Sequence, residues 1–155
     1  LFCGLRSEEL ARLNWAKVDL TKRKITISPE IGKNRGARDW RYPVIPKGAV
    51  KFLLLHPNRS GPIAPPRFHN RLTELHAAAG FAKWKETHAN SRRHSFGSYA
   101  CKLHPIDWVI EQMGNSVRKF VRHYQNANVT RRQATDYFAL TPETVGTIAP
   151  SIPFP

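Results

Sequence analysis

Prolines and glycines divide this chain into short elements, and their distribution constrains its fold more than any other feature of the sequence. The 155 residues include 12 prolines and 9 glycines. Pro46 ends a predicted strand, Pro105 stands where a helix can begin, and both residue types crowd residues 57–66, which predicts a loop. Gly80 follows a helical pattern at a position where helices commonly end. We therefore expect one core assembled from several short helices and strands.

The spacing of apolar residues predicts which elements are helices and which are strands. Residues 24–28 and 40–45 alternate polar and apolar side chains, which predicts antiparallel strands joined by a basic turn. The other patterned segments repeat apolar residues every three or four positions and predict helices. The first helix begins with Ser7 as its N-cap, and the others span residues 48–55, 67–79, 90–103, 105–113, 116–123 and 130–138. The predicted fold class is α+β, mostly α-helical with a small antiparallel β-sheet.

The charge balance indicates a polyanionic partner. Lysine and arginine number 25 against 11 aspartate and glutamate residues, a formal net charge of +14. Such a balance is typical of nucleic-acid-binding domains, whose affinity rests largely on phosphate contacts. An anionic membrane surface is the second candidate, but no apolar run approaches the roughly 18 residues of a membrane span and no basic, strongly amphipathic helix stands alone, so no membrane partner is expected. The simplest alternative is a soluble domain whose solvated surface is merely basic.

The cysteines and histidines predict neither a metal site nor a disulfide framework. Cys3 and Cys101 lie far apart without a CxxC pair, and the seven histidines are scattered along the chain. We therefore expect no bound metal and no cofactor. Free thiols are typical of a reducing compartment, which favours the cytoplasm.

Four separated segments combine residues that suit a bound anion. Arg6 precedes a helix start in Gly-Leu-Arg-Ser-Glu-Glu-Leu, and Lys33 lies in the basic turn between the strands. Arg93 lies at a helix N-terminus within Arg-His-Ser-Phe, where backbone N–H groups and a guanidinium favour an anion. Tyr124 follows Asn115 of Met-Gly-Asn-Ser by nine positions. Each segment alone has a simpler explanation, such as a surface arginine beside a capping serine or a solvated hairpin.

Taken together and in this order, the four segments resemble the catalytic domain of the tyrosine recombinases, the phage integrase family. The resemblance covers residues 1–140 and implies the fold of DNA breaking-rejoining enzymes. Residues 141–155 then form a Pro-rich C-terminal tail, predicted to be an extended arm or disordered. We expect the chain to be the catalytic fragment of a longer protein of bacterial or phage origin that acts at the nucleoid.

The resemblance implies site-specific DNA cleavage and rejoining through a covalent 3′-phosphotyrosine intermediate, as in DNA integration and recombination of mobile elements. Tyr124 is then the nucleophile, and Arg6 and Arg93 hold the two non-bridging oxygens of the scissile phosphate. Lys33 protonates the departing 5′ oxygen. Arginines supply the charge stabilisation that a metal provides in other phosphoryl transfers, so none is required. Glu9, three residues after Arg6, is expected to orient that arginine.

Further residues have supporting roles in this interpretation. His123, beside the nucleophile, is a candidate proton acceptor, although a surface histidine is the simpler reading. The implied partner is double-stranded DNA, with self-association of the protein on it. Expected contacts to DNA phosphates are made by Arg35, Arg92 and Arg118.

The chain departs from the family pattern at two positions where the family has histidine, Asn90 and Asn115. An amide donates a hydrogen bond to a phosphate oxygen but exchanges no proton near neutral pH. The alternative function is therefore a catalytically weakened or inactive recombinase-like domain that binds DNA. A type IB topoisomerase, which shares this chemistry, and a basic RNA-binding domain are further alternatives.

Overall fold

The computed structural model describes residues 2–32, 40–81, 90–124 and 128–145, without the side chain of His123. A 3₁₀ turn at Trp15–Lys17 leads into strand β1 (Val18–Asp19), which is followed by strand β2 (Lys24–Ile25). The helices of these ranges are α1 (Ser7–Arg12), α2 (Lys47–Leu54), α3 (Phe68–Ala78), α4 (Ser91–Leu103), α5 (Ile106–Met113), α6 (Val117–Tyr124) and α7 (Arg131–Ala139).

The small sheet lies beside α1 and α2. β1 pairs antiparallel with β2, and Val18 lies opposite Ile25. Residues 41–45 run along the other side of β2, where Ile27 and Arg41 exchange both backbone hydrogen bonds, at 2.9 and 3.1 Å. The apolar side chains of this layer are buried together with those of the adjoining helices, a cluster formed by Leu13, Ile25, Ile27, Ile31, Ile45 and Ala49.

Helix α4 is the centre of the helical part of the molecule and packs against α5, α6 and α7. Its buried face carries Phe96 and Ala100, which contact Val109, Met113 and Phe120 of the neighbouring helices. Burial of aromatic and aliphatic side chains is the main favourable contribution to such packing. Because α4 is surrounded on three sides, its N-terminus is held in a defined position.

Phe2 and Gly48 connect the sheet side to the helical side. The Phe2 ring lies 5.8 Å from that of Phe52 in α2 and 5.1 Å from that of Tyr137 in α7, between ring centroids. A Cβ atom on Gly48 would lie 2.3 Å from the carbonyl oxygen of Leu140, so α2 can approach the end of α7 only with glycine at this position.

The structure confirms the predicted fold class, and the helices begin and end within a few residues of the predicted limits. Gly80, two residues after the end of α3, has a φ of 85°, and the Thr130 side chain accepts from Gln133 N–H at the start of α7. The predicted N-cap of α1 is wrong: the cap residue is Arg6, and Ser7 is the first residue of the helix. The reason is that Glu9 hydrogen-bonds the backbone N–H of Arg6.

The predicted tail begins differently from the extended or disordered arm expected for it. Residues 141–145 form a turn in which the N–H groups of Thr144 and Val145 donate to the carbonyl of Thr141. Glu143 of this turn pairs with Lys51 of α2 at 3.4 Å. Residues 146–155 lie outside the described ranges.

Among the residues that the structure describes, no helix combines the length and apolar character needed to cross a membrane.

Candidate phosphate-binding site

A left-handed turn at Gly4 places Arg6 at the start of α1. Gly4 has a φ of +64°, and a Cβ atom there would lie 2.5 Å from the Phe96 ring, so both the backbone conformation and the packing require glycine. The Arg6 guanidinium donates from Nη1 to Oε1 of Glu9 at 2.6 Å, and its backbone N–H donates to Oε2 at 2.8 Å. Glu9 therefore fixes both the backbone and the side chain of Arg6.

Arg93 lies in the first turn of α4 and is only 3% exposed. Its guanidinium donates to the carbonyl oxygens of Gly4 and Met113, which come from opposite sides of the site. Burial and then the positive charge of Arg6 lower the pKa of Arg93 to about 10, although hydrogen bonding to Tyr124 opposes this effect. At neutral pH Arg93 therefore keeps its charge.

Asn115 joins the two arginines. Its Oδ1 atom accepts from Nη2 of Arg6 at 3.1 Å and from Nη2 of Arg93 at 3.0 Å. Arg6 Nη2 also donates to the carbonyl of Gly114 at 2.7 Å, and Gly114 has the left-handed conformation that ends α5. The Nδ2 atom of Asn115 is buried and donates to no group within the described residues. One amide thus positions two cations and retains a donor of its own.

A buried ion-pair network lies behind Arg6. Glu9 is 1% exposed, and its Oε2 atom pairs with Nη2 of Arg41 at 2.6 Å. Burial raises the pKa of Glu9, but the charge of Arg41, together with the hydrogen bonds and charge of Arg6, outweighs it and holds the pKa below its ordinary value. Arg41 also donates to the carbonyl oxygen of Gln112. Glu9 is therefore an ionised carboxylate shared by two arginines.

Tyr124 is the last residue of α6 and lies over the N-terminal half of α4. A Cβ atom on Gly97 would lie 3.1 Å from the Tyr124 Cβ, so the two helices approach closely at this point. The Tyr124 ring is 4.5 Å from that of His94 between centroids, and its carbonyl accepts from Ser98 Oγ at 2.8 Å. The Arg93 guanidinium lies 5.6 Å from the centre of the Tyr124 ring.

Arg6, Arg93 and Tyr124 line one cleft of about 390 Å³. Asn90, the N-cap of α4, is exposed at the cleft and has a φ of 62°, a conformation that asparagine tolerates better than most residues. The residues that line the cleft are Arg6, Ser7, Glu8, Glu9, Arg12, Asn90, Arg93 and Tyr124. The arrangement presents guanidinium and amide donors beside a phenol, which suits a phosphate oxyanion.

The remaining sequence-predicted residues fall into two groups. Arg92 donates to Ser7 Oγ at 3.2 Å, and burial lowers its pKa, whereas Arg118 is exposed on α6. Lys33, Arg35 and the side chain of His123 lie outside the described residues. The described residues that precede this gap are held by Arg12, which donates to the carbonyls of Ile31 and Gly32 at 3.2 and 3.3 Å.

Two residues of the network, Arg41 and Gln112, are not predicted by the sequence motifs. Arg41 alternates with Pro43 and Ile45 along the strand segment, so it belongs to the same side as these two buried residues. An arginine on the inward side of a strand needs a carboxylate partner, so its position in the alternating pattern could have identified Arg41 from the sequence. Gln112 also accepts from Val44 N–H through its side chain at 2.6 Å, so it ties α5 to the same strand segment.

The fold is like that of a recombinase catalytic domain. Among solved structures, the crystal structure of XerA recombinase is similar to this chain, with a TM-score of 0.61 and 18% sequence identity. The similarity covers 88% of this chain and 52% of that chain, so this chain spans about half the length of the structure it matches. No family model and no curated protein matches the sequence. At this identity, the likeness establishes the fold.

Proposed function

We propose that this chain is the catalytic domain of a tyrosine recombinase, which cleaves and rejoins DNA through a 3′-phosphotyrosine at Tyr124. The observation that carries the proposal is the convergence of Arg6, Arg93 and Tyr124 on one cleft, with Asn115 bonded to both arginines. Arg6 and Asn115 are 109 residues apart in sequence, so the fold is what brings these groups together.

The chemistry follows from the charges in the cleft. The Tyr124 oxygen attacks the phosphorus atom, a P–O bond to tyrosine forms, and the P–O5′ bond breaks. The phenol gives up one proton, for which His123 is the proposed acceptor, and the departing 5′ oxygen takes one up, for which Lys33 is the proposed donor. Arg6 and Arg93 stabilise the negative charge that develops on the non-bridging oxygens. Attack by a second 5′-hydroxyl reverses the step and rejoins the strands.

The charge of the whole chain supports DNA as the substrate. A net charge of +14 favours association with a duplex, whose phosphates attract lysine and arginine without regard to sequence. Arg118 is exposed on the helix that carries Tyr124, and a contact from it to a phosphate of the flanking DNA is part of the proposal. The motifs favour DNA integration or recombination over topoisomerase activity, and self-association on DNA is part of the same proposal.

Covalent trapping tests the proposal. Purified protein is incubated with a pool of labelled duplexes of randomised sequence, each nicked beside the candidate scissile phosphate so that the short 5′-hydroxyl strand diffuses away. We expect a covalent protein–DNA complex on a denaturing gel for the unaltered chain and none for Tyr124→Phe. Tyr42→Phe is the matched control, because Tyr42 is 52% exposed on the strand segment, and should trap normally.

Two outcomes contradict the proposal. A covalent complex that persists in Tyr124→Phe removes the assigned nucleophile. Absence of any complex with the unaltered chain, together with tight binding of the same duplexes, favours a DNA-binding domain that does not cleave.

A further inference from the structure

Arg41 lies behind the cleft and is the second cation on the carboxylate that orients Arg6. Its side chain is 10% exposed, and it pairs with Glu9 Oε2 at 2.6 Å, while Arg6 pairs with Oε1 at the same distance. The two carboxylate oxygens therefore pair with the guanidiniums of different arginines. Arg6 is 26% exposed and lines the cleft, whereas Arg41 does not.

This division matters because an ion pair reduces the charge that an arginine offers to a phosphate. With Arg41 absent, Glu9 would cancel most of the charge of Arg6, and the site would hold little more than the charge of Arg93. With Arg41 present, three arginines and one carboxylate leave two net positive charges. Negative charge grows on the phosphate oxygens during phosphoryl transfer, so the second positive charge favours the transition state.

The position of Arg41 is fixed from three directions. Its backbone pairs with Ile27 next to β2, and its guanidinium donates to the carbonyl of Gln112 at the end of α5. Two residues after Gln112, a Cβ atom on Gly114 would lie 3.0 Å from Arg41 Cδ and Nε, so a side chain there would displace the guanidinium. The same turn provides the carbonyls that Arg6 and Arg93 contact.

We propose that Arg41 is a positioning residue for catalysis. Its positive charge compensates the negative charge of Glu9, so that Glu9 orients Arg6 without neutralising the charge that Arg6 presents to the scissile phosphate. The inference rests on the proposed function. It assigns to Arg41 an effect on the charge of the cleft that is separable from its contribution to folding, because the effect acts through Glu9 and disappears when Glu9 is uncharged.

A double-mutant cycle tests this separation. The variants are Arg41→Gln, Glu9→Gln, the double variant, and Arg41→Lys, which keeps the charge. Single-turnover covalent trapping is measured with the nicked duplexes, alongside duplex affinity and the melting temperature. We expect Arg41→Gln to slow trapping by about 100-fold, the order found when a donor to developing charge is removed. The double variant should recover about tenfold of this loss, and Arg41→Lys a similar part. Lys51→Gln removes an exposed ion pair remote from the network and should trap normally.

A second measurement does not depend on cleavage. The affinity for inorganic orthovanadate, a phosphate analogue, is measured by the rise in melting temperature of each variant. We expect Arg41→Gln to bind vanadate about tenfold more weakly, and the double variant to regain most of that affinity. This separates the two proposals: if the unaltered chain traps no DNA but the vanadate pattern holds, the proposed function fails, whereas the effect of Arg41 on the charge of the cleft stands.

Three results would overturn the inference. One is an Arg41→Gln variant that traps DNA as fast as the unaltered chain. The second is a double variant no faster than Arg41→Gln, since the proposed effect acts through the charge of Glu9. The third is vanadate affinity that is equal in all folded variants.

Discussion

A single side chain, the amide of Asn115, holds the two arginines of the cleft in one arrangement. Its oxygen accepts from both guanidiniums, and its buried Nδ2 remains a donor. A neutral imidazole offers the same pair of functions, one acceptor nitrogen and one N–H donor, but gains a second proton in acid. Asn115 therefore reproduces the geometry of a histidine without its titration.

We predict that Asn115→His introduces a pH dependence that the unaltered chain lacks at this residue. Protonation of the introduced imidazole removes the acceptor for Arg6 and Arg93, and their charges hold its pKa below the usual value of about 6.5. Trapping by this variant should therefore be retained at pH 8 and fall as the pH drops through that pKa. The measurement is the single-turnover rate between pH 5 and pH 8.

Asn115→Ala provides the comparison for this prediction. It loses both the acceptor and the donor, so the rate should fall by about 100-fold at every pH, without the added ionisation. Identical pH profiles for Asn115→His and the unaltered chain would show that this position does not contact the arginines as the structure places it.

The packing of helix α6 on helix α4 determines where the proposed nucleophile lies. Gly97 faces Tyr124 Cβ, Met113 Sδ and the Phe120 ring at 3.1 to 3.3 Å from a hypothetical Cβ. These distances leave no room for a methyl group unless α6 moves by a few tenths of an ångström. Phosphoryl transfer is sensitive to displacements of this kind, because the attacking atom must be aligned with the bond that breaks.

We predict that Gly97→Ala lowers the trapping rate by about tenfold or more while changing the melting temperature little. Alanine gains about 1 kcal/mol of helix propensity over glycine, which offsets part of the steric cost. Gly48→Ala is the matched control: its Cβ would lie 2.3 Å from the Leu140 carbonyl, outside the site, so it should cost about 1–3 kcal/mol of stability. Below its melting temperature Gly48→Ala should trap normally, and equal losses of trapping in both variants would contradict the role of Gly97.

The whole molecule carries far more positively charged residues than those assigned to the cleft. Of 25 lysine and arginine residues, Arg6 and Arg93 are the ones assigned to the scissile phosphate among those the structure describes. Most of the remaining charge is available to the flanking duplex. Binding of this kind releases counterions, so affinity falls with salt in proportion to the number of phosphates contacted.

We predict that the logarithm of duplex affinity falls linearly with the logarithm of salt concentration. Arg118→Ala should reduce the slope by about one and weaken binding evenly across DNA sequences. The measurement uses the Tyr124→Phe background, in which no covalent product forms, over about 50 to 200 mM salt. A slope near zero would show that the net charge does not act on DNA phosphates.

The sequence by itself determined the features that arise from nearby residues. Helix limits follow from Gly80, Gly114 and Thr130, whose effects act within one turn of backbone. The alternating segments predicted the pairing of residues 41–45 with β2. The ordered motifs also pointed to Arg6, Arg93, Asn115 and Tyr124 before any contact between them was visible.

Only the tertiary structure decided which groups form ion pairs and hydrogen bonds with one another. Arg6 meets the Gly114 carbonyl across 108 residues of sequence, and Arg41 meets Glu9 across 32. Motif spacing does not record such pairs, because the energy of an ion pair depends on distance and burial after packing. The N-cap of α1 shows the same limit: Ser7 has the preferred residue type, but the position of Glu9 made Arg6 the cap. The sequence thus supplied the reactive groups, and long-range packing decided which charged groups pair with one another.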